Sequence, residues 1–204
     1  MKTILNKLFM VVMILMTPQF FFAQRAIQQV GPNYYVAGLR SSEFSAFAAK
    51  QNCMNWCWAA SIQSVLNFHG LYVSQFDIVT RIYGRPVCLT ADGVMIMNAL
   101  KGWAPDFRGR WSQIYSQYGV YNDADIVDNL SRKWPIIVGV QNQGGGHVYV
   151  MTAVYYSLNR FNSPVIDKVM LRDPWPGSQS CQEWRWSFLL SRSPEFIKVW
   201  VNRL

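Results

Sequence analysis

Two residues far apart in the sequence could together perform thiol chemistry. Cys57 lies where the longest predicted helix begins, and His147 follows three glycines at the start of a predicted strand. Unpaired N–H groups and the positive end of the helix dipole favour a thiolate at such a position. The chain has only two histidines, and His69 is explained as a residue at a helix end. His147 is therefore the candidate base for the thiol.

A carboxylate beside the imidazole would complete this arrangement. Residues 147–156 and 165–173 are predicted to pair as a hairpin with 156 opposite 165, which brings Asp173 within one residue of the position opposite His147. Asp173 could then accept a hydrogen bond from one imidazole nitrogen and leave the other nitrogen for the thiol. Asp173 also precedes Pro174, where an aspartate commonly begins a turn, and both interpretations can hold.

An amide upstream of the cysteine is the fourth candidate. Gln51 lies six residues before Cys57, and its side chain could donate to an oxyanion together with the Cys57 backbone N–H. Taken singly, Gln51 would be a polar loop residue and Cys57 a small buried one beside two alanines. Their combination with His147 and Asp173 favours the catalytic interpretation.

The elements that would carry these residues change type along the chain. Helices are predicted at 41–50, 56–68, 75–83, 92–100 and 124–133. Strands are predicted at 136–140, 147–156, 165–171 and 196–201, and in the second of these Val148, Val150, Thr152 and Val154 are expected on one face. This order predicts an α+β fold with a helical part at about 41–133 and a β part at about 134–204.

The first 23 residues are typical of a secretory signal peptide. Lys2 and Lys7 are followed by a short apolar run and by Ala23, after which cleavage is expected. The run is too short for a membrane span, which needs about 20 residues, although an uncleaved anchor is the alternative. We therefore expect one domain at 24–204, secreted or periplasmic, with no stable membrane insertion after signal cleavage.

Composition and charge exclude several other classes. Apolar residues make up 51% and charged residues 15%, which excludes a disordered chain. The formal charge is +8, but the basic residues are scattered, so no nucleic-acid partner is expected. Cys53 and Cys57 could begin a zinc site, yet no second cysteine pair follows them, so neither a metal nor a cofactor is expected.

Taken together, these motifs resemble bacterial papain-like cysteine peptidases, in particular the plant-pathogen effector type and the peptidases that trim double-glycine leaders. The resemblance covers about residues 50–180. It rests on Gln51, Cys57-Trp58-Ala59-Ala60-Ser61, Gly145-Gly146-His147 and Asp173-Pro174-Trp175, with Val73-Ser74-Gln75 and the 134–140 strand as lesser features. It implies a papain-like fold, in which an N-terminal helical lobe packs against a C-terminal antiparallel β-sheet lobe with the active site at the seam.

The resemblance also implies a role for each matched residue. These roles are nucleophile for Cys57, general base and then acid for His147, imidazole orientation for Asp173, and part of the oxyanion hole for Gln51. Trp175 would shield the His–Asp bond from water. Among the possible disulfides, Cys53–Cys88 is preferred, which would leave Cys181 free.

The expected function is that of an exported cysteine peptidase. It would hydrolyse peptide bonds of a peptide or protein substrate through a thioester acyl-enzyme. Two alternatives use the same fold. One is an amidase or transpeptidase acting on cell-wall peptides with the same triad, and the other is a catalytically silent binding module.

Overall fold

The structure is a computed structural model that describes residues 25–142 and 145–203. The expected signal peptide, residues 1–23, and Gly144 of the triple glycine lie outside the described residues. The helices are α1 (Ser41–Ser45), α2 (Cys57–Phe68), α3 (Gln75–Tyr83), α4 (Gly93–Leu100), α5 (Asp123–Ser131) and α6 (Trp186–Leu190). The strands are β1 (Ile27–Gly31), β2 (Tyr34–Gly38), β3 (Gly102–Pro105), β4 (Trp111–Gly119), β5 (Ile136–Asn142), β6 (Gly145–Leu158), β7 (Pro164–Arg172), β8 (Cys181–Arg185) and β9 (Glu195–Arg203).

The helices begin where their capping residues predict. Ser74 caps α3 by accepting a hydrogen bond from the Asp77 N–H, and Gly84 ends the helix in the left-handed region at φ 71°. Asp92 caps α4 through the Met95 N–H, and Asn122 caps α5 in the same way. The first helix is shorter than predicted, because α1 ends at Ser45 and gives way to a turn.

The strands form one antiparallel sheet. Its main path runs β1-β2-β6-β5-β9-β4-β3, while β7 pairs with β6 and β8 pairs with β7. The long strand β6 holds the sheet together: β5 and β2 pair with successive halves of one edge, and β7 pairs with the other edge. Strands β3 and β4 come from the part of the chain where only helices were expected. Few residues of β4 are buried, so apolar and polar residues alternate only weakly in its sequence. The strand forms because it pairs with β9.

Hydrophobic cores lie on both faces of the sheet. Helices α2, α3 and α4 cover one face, where the buried residues include Ile62, Val65, Leu71, Val150 and Val199. Helices α5 and α6 cover the other, where they include Ile126, Val138, Met151, Val169 and Leu189. The two faces are filled by alternate residues of the central strands, as a twofold side-chain period requires.

The β6–β7 hairpin differs from the expected register and contains two β-bulges. Ser157, not Tyr156, lies opposite Val165, so the predicted register was wrong by one residue. The ladder shifts once at Asp167 in β7 and once at Thr152 in β6. The bulge at Thr152 reverses which side chains face each core. The prediction that residues 148 to 154 keep one face was therefore wrong: Val148 and Val150 belong to the first core and Val154 to the second.

Within the described parts of the chain, no helix is both long and apolar enough to cross a membrane.

Candidate active site

Cys57 is the first residue of α2, with Trp56 as the N-cap, and its side chain is buried. Its position at the helix N-terminus is the one predicted from the sequence. Helix α2 packs on β6, which carries His147. The cysteine and the histidine therefore lie where the helical side of the molecule meets the sheet.

The segment before Cys57 is tied to residues 87–89, which form no helix or strand. Cys53 and Cys88 form a disulfide, so the pairing favoured by the resemblance is confirmed, and Cys57 and Cys181 are free. Three side chains on the Cys57 side donate hydrogen bonds to consecutive carbonyls of the other segment. The pairs are Trp56 Nε1 to Val87 O at 2.8 Å, Asn55 Nδ2 to Cys88 O at 3.0 Å and Trp58 Nε1 to Leu89 O at 3.1 Å.

His147 lies near the start of β6, where it is paired with Val140 of β5. Gly145, two residues earlier, has φ 122°, a conformation that a residue with a side chain rarely adopts. The imidazole packs edge-on against Tyr149, with ring centroids 4.6 Å apart, and only 17% of its side chain is exposed. The ring is thus held in place by its neighbour on the same face of the strand.

The structure brings Asp173 to His147, with Nε2 2.9 Å from Oδ1. The observed register explains the contact. Val150 pairs with Arg172, so the next position of the ladder sets Asp173 opposite Tyr149, on the same face as His147. In the predicted register, Asp173 would have fallen opposite Val148, whose side chain points to the other face. The shift of one residue is therefore what allows the bond.

Asp173 is buried and accepts further hydrogen bonds. The Trp175 backbone N–H donates to Oδ1 at 2.8 Å, and Gln182 Nε2 donates to Oδ2 at 2.8 Å. Burial alone would raise the pKa of Asp173, but the hydrogen bonds from His147 and Trp175 outweigh it and leave that pKa lowered. The group therefore stays a carboxylate facing the imidazole. The side chain of Trp175 is 42% exposed, and its shielding role stays a prediction.

His147 also interacts electrostatically with the Cys57 side chain, and both residues line the same cavity. Since Nε2 faces Asp173, Nδ1 is the nitrogen left for the sulfur. Burial lowers the pKa of His147, but the hydrogen bond to Asp173 and the interaction with Cys57 outweigh it and raise that pKa to about 9. The site thus favours a protonated imidazole between a carboxylate and a sulfur, which is the arrangement a thiolate nucleophile needs.

Gln51 is buried close to this group but is oriented differently from the expectation. Its backbone N–H donates to Pro174 O at 2.8 Å, which places it against the turn that follows Asp173. Its side-chain nitrogen donates to Cys53 O at 3.0 Å and Met54 O at 2.6 Å. Both N–H groups of the side-chain amide therefore already have a carbonyl acceptor. Donation to an oxyanion would therefore require the amide to turn.

Three polar residues that support the site were missed as site residues in the sequence. Lys50 Nζ donates to the carbonyls of Asp173, Trp175 and Ser178, at 2.8 to 3.2 Å, and closes the turn behind Asp173. Gln75, at the start of α3, donates to Lys50 O and accepts from the Asn52 N–H, both at 2.9 Å, so it holds the residues on either side of Gln51. The third residue is Gln182, described above. Of these three residues, only Gln75 had a sequence signal, because it belongs to the Val73-Ser74-Gln75 motif.

Two cavities flank the site. One, of about 830 Å³, is lined by Cys57 and His147 and extends between α4, β5 and the start of β9. The other, of about 330 Å³, lies between Gln51 and the Trp175–Gly177 turn. In the described residues, no group of three or more His, Cys, Asp or Glu side chains is placed to hold a metal ion.

Comparison with known families agrees with this geometry. The sequence matches the Peptidase C39-like family over residues 43–203, which is more than half of the chain. The chain belongs to the Peptidase C39-like family. Membership makes it a cysteine-type peptidase, with a peptide as its substrate class. No curated protein matches the sequence.

A solved structure also shares the fold of this C39-like chain. It is the peptidase domain of Streptococcus ComA, a bi-functional ABC transporter involved in a quorum-sensing pathway. The TM-score is 0.51 at 14% identity, over 76% of this chain and 97% of that domain. At this identity the likeness shows the fold alone, and the expected papain-like α+β architecture is confirmed. The β1–β2 hairpin precedes the residues matched to the family, yet β2 pairs with β6 from Tyr34 to Gly38.

Proposed function

We propose that this protein is an exported cysteine peptidase with Cys57 as the nucleophile, His147 as general base and acid, and Asp173 as the residue that orients the imidazole. One observation supports the proposal most: His147 interacts with Cys57 and is hydrogen-bonded to Asp173 at 2.9 Å. The three groups thus form the sequence of contacts that thiol-based acyl transfer requires.

The chemistry proceeds through a thioester. His147 Nδ1 takes the proton of Cys57, and the thiolate attacks the carbonyl carbon of the scissile peptide bond. The resulting oxyanion accepts a hydrogen bond from the Cys57 backbone N–H. His147 then gives its proton to the leaving amine, so the C–N bond breaks and the acyl group stays on sulfur. In the second half, His147 removes a proton from water, and the hydroxide displaces the thiolate to release the carboxylic acid.

Gln51 is the proposed second donor to the oxyanion. Its amide nitrogen now donates to Cys53 O and Met54 O, so it would serve after turning toward the reacting carbonyl. Its side-chain oxygen is buried without a partner among the described residues, so the present orientation leaves one polar atom unsatisfied. A turn that exchanges these bonds for an oxyanion contact is therefore energetically reasonable.

Export is supported by two independent features. The N-terminal residues are typical of a signal peptide, and the Cys53–Cys88 disulfide is of a kind that persists in oxidising compartments. We propose a secreted or periplasmic location on these grounds. Fractionation of the producing cells, with a blot against the protein, would test it: recovery of the full-length chain in the cytoplasm alone would contradict export.

The peptidase assignment is tested by variants of the two reacting groups. The wild type and the variants Cys57→Ala and His147→Ala are incubated with a denatured protein mixture, and new termini are identified by mass spectrometry. Cys181→Ala is the matched control, because Cys181 is the other free thiol. We expect cleavage by the wild type and the control only. Activity that survives in both active-site variants would contradict the assignment.

The two alternatives are separated by simple additions to this assay. Membership in a cysteine-peptidase family argues against a silent binding module. A transpeptidase would give an amide adduct when an amine nucleophile is added, because an amine would replace water as the acceptor of the acyl group. We expect hydrolysis products to predominate over such adducts.

A further inference from the structure

We propose that Glu195 makes the cleft select peptides that carry a lysine or arginine side chain close to the scissile bond. The inference rests on the proposed function, because it concerns the substrate of the same site. It starts from the cavity of about 830 Å³ that Cys57 and His147 line together with Glu195. A substrate bound at the sulfur must send at least one side chain into this space.

Many of the residues that line the cavity are apolar. They include Trp58, Val94, Met97, Val140 and Val148. Such walls suit an aliphatic stem, which loses contact with water on binding. By themselves they would accept a leucine or a methionine as readily as a lysine. The charged residues of the cavity therefore decide which end group is preferred.

Glu195 is held at one wall by its surroundings. Its carboxylate interacts with the Tyr118 hydroxyl, whose pKa it raises, and both side chains lie beside Gly93. The carboxylate lies over two glycines: Oε2 is 3.6 Å from the position that a Cβ on Gly93 would occupy and 4.0 Å from that on Gly139. A Cβ on Gly93 would also lie 2.9 Å from the Tyr118 ring. The absence of side chains at these positions leaves the carboxylate open to the cavity.

The remaining charges of the cavity leave Glu195 available. In the segments that the structure describes, no ion pair involves Glu195 or Asp92, the second carboxylate of the lining. Asp92 is occupied as the cap of α4. Among the described residues that line the cavity, Lys101 is the one cation besides His147, and its Nζ donates a hydrogen bond to Asn98 Oδ1 at 3.1 Å. Of the carboxylates in this described lining, Glu195 is therefore the one that neither caps a helix nor joins an ion pair, and it can attract a cationic ligand group.

Lysine and arginine match this cavity in both parts of their side chains. Their methylene stems can lie along the apolar walls while the charged head reaches the carboxylate. A charge-assisted hydrogen bond of this kind corresponds to about a tenfold preference over a neutral side chain of the same length. The preference should depend on the charge of Glu195 and not on its size.

The test compares peptides that differ only in charge. Pairs with lysine or norleucine, and with arginine or citrulline, are varied one position at a time on both sides of the cleaved bond. At one position or more, we expect kcat/KM of the wild type to be about tenfold higher for the cationic member. Glu195→Gln keeps the shape and the acceptor for Tyr118, and it should reduce this ratio to near one while the neutral peptides are cleaved as before. Glu183→Gln, on β8 and outside the cavity, is the control and should keep the ratio.

A second measurement separates this inference from the proposed function. In a Cys181→Ser background, Cys57 is modified with a cationic and with a neutral methanethiosulfonate reagent, and the ratio of the two rates is recorded. We expect the cationic reagent to lose its relative advantage in Glu195→Gln. If no peptide is cleaved, the proposed function fails while this ratio still tests Glu195. A charge preference that is absent in the wild type, or unchanged in Glu195→Gln, would overturn the inference.

Discussion

The protonation of a single imidazole links the geometry of the site to its chemistry. His147 is largely buried, which disfavours its charged form, but it lies between a carboxylate and a sulfur. Asp173 in turn keeps its charge because His147, Trp175 and Gln182 all donate to it. The positive charge on the ring is thus supported by contacts on both sides. Activity should follow the protonation of this group.

The pH dependence is the first expected consequence. With the pKa of His147 raised to about 9, the protonated ring should persist up to that pH, and kcat/KM should fall above it. Asp173→Asn removes the charge but keeps an oxygen that can accept from Nε2, so the fall should move to lower pH. Rates of Cys57 alkylation and of peptide cleavage, recorded from pH 5 to 10, locate this alkaline fall in the wild type and in the variant. An unmoved alkaline limb in Asp173→Asn would contradict the role of the carboxylate.

The same shift affects stability. The folded pKa of His147, about 9, lies above the ordinary value of 6.5, so this group stabilises the fold fully below about pH 6.5. The contribution is lost as the pH rises through about 9. Urea denaturation at pH 6 and at pH 10 should therefore show a smaller loss of stability for His147→Ala than for the wild type between the two conditions.

Gln51 allows a test that separates two roles for one amide. If it donates to the oxyanion, Gln51→Ala should lower kcat by about 10² to 10³-fold. Alkylation of Cys57 by iodoacetamide forms no oxyanion, so its rate should stay within about twofold of the wild type. A role limited to holding Cys53 and Met54 would instead change both rates together, and that result would remove Gln51 from the oxyanion hole.

At the scale of elements, the site depends on how irregular segments are attached to helices. Helix α2 supplies Cys57 at its first turn, but the preceding residues have no regular structure of their own. The disulfide and hydrogen bonds from Asn55 and Trp56 join them to residues 87–88, and Trp58 of α2 donates to Leu89 O. Residues 90–92 then continue as part of the wall of the large cavity. The position of the nucleophile and the shape of the cleft are therefore coupled.

Removal of this disulfide should be strongly destabilising. The bond closes a sequence separation of 35 residues, for which loop entropy predicts a loss of about 4 kcal/mol in the free energy of unfolding. Cys53→Ala/Cys88→Ala should show this loss in urea denaturation. Cys181→Ala, at a cysteine that forms no disulfide, is the control and should change stability much less. Equal stability of the double variant and the control would contradict the structural role.

At the scale of the whole molecule, one sheet carries two cores. Helices α2, α3 and α4 pack on one face and α5 and α6 on the other, while the central strands contribute alternate side chains to both cores. Neither core can lose its packing without exposing residues of the shared strands. We expect the two sides to unfold together as one cooperative unit.

A matched pair of substitutions tests this cooperativity. Ile114 in β4 and Ile166 in β7 are each 4% exposed and belong to the first and second cores, respectively. Each Ile→Ala variant should lose about 2 to 5 kcal/mol of stability. Tryptophan fluorescence and far-ultraviolet circular dichroism should still report a single transition in both variants. Two separate transitions would show that the cores are independent.

Local sequence signals were sufficient for the elements whose ends are defined by single residues. Ser74 and Gly84 bound α3, and Asp92 and Asn122 cap the next helices, because capping depends on contacts within one turn. The resemblance of a few motifs also gave the family and the papain-like fold. The weakly alternating strands, β4 above all, were not recognised, because their pairing partners lie far away in the sequence.

The sequence by itself determined which residues could react: one cysteine at a helix start, one histidine without a structural explanation, and an aspartate beyond the next strand. Tertiary structure alone decided how they meet. The pairing of Ser157 with Val165 sets the register that puts Asp173 on the face of His147, because the bulges at Thr152 and Asp167 offset each other. Buried contacts that cross the chain, such as those of Lys50 and Gln75, fix the surrounding turns. The physical reason is that strand register and long-range hydrogen bonds depend on packing across the whole sheet, whereas reactivity depends on residue type and local backbone.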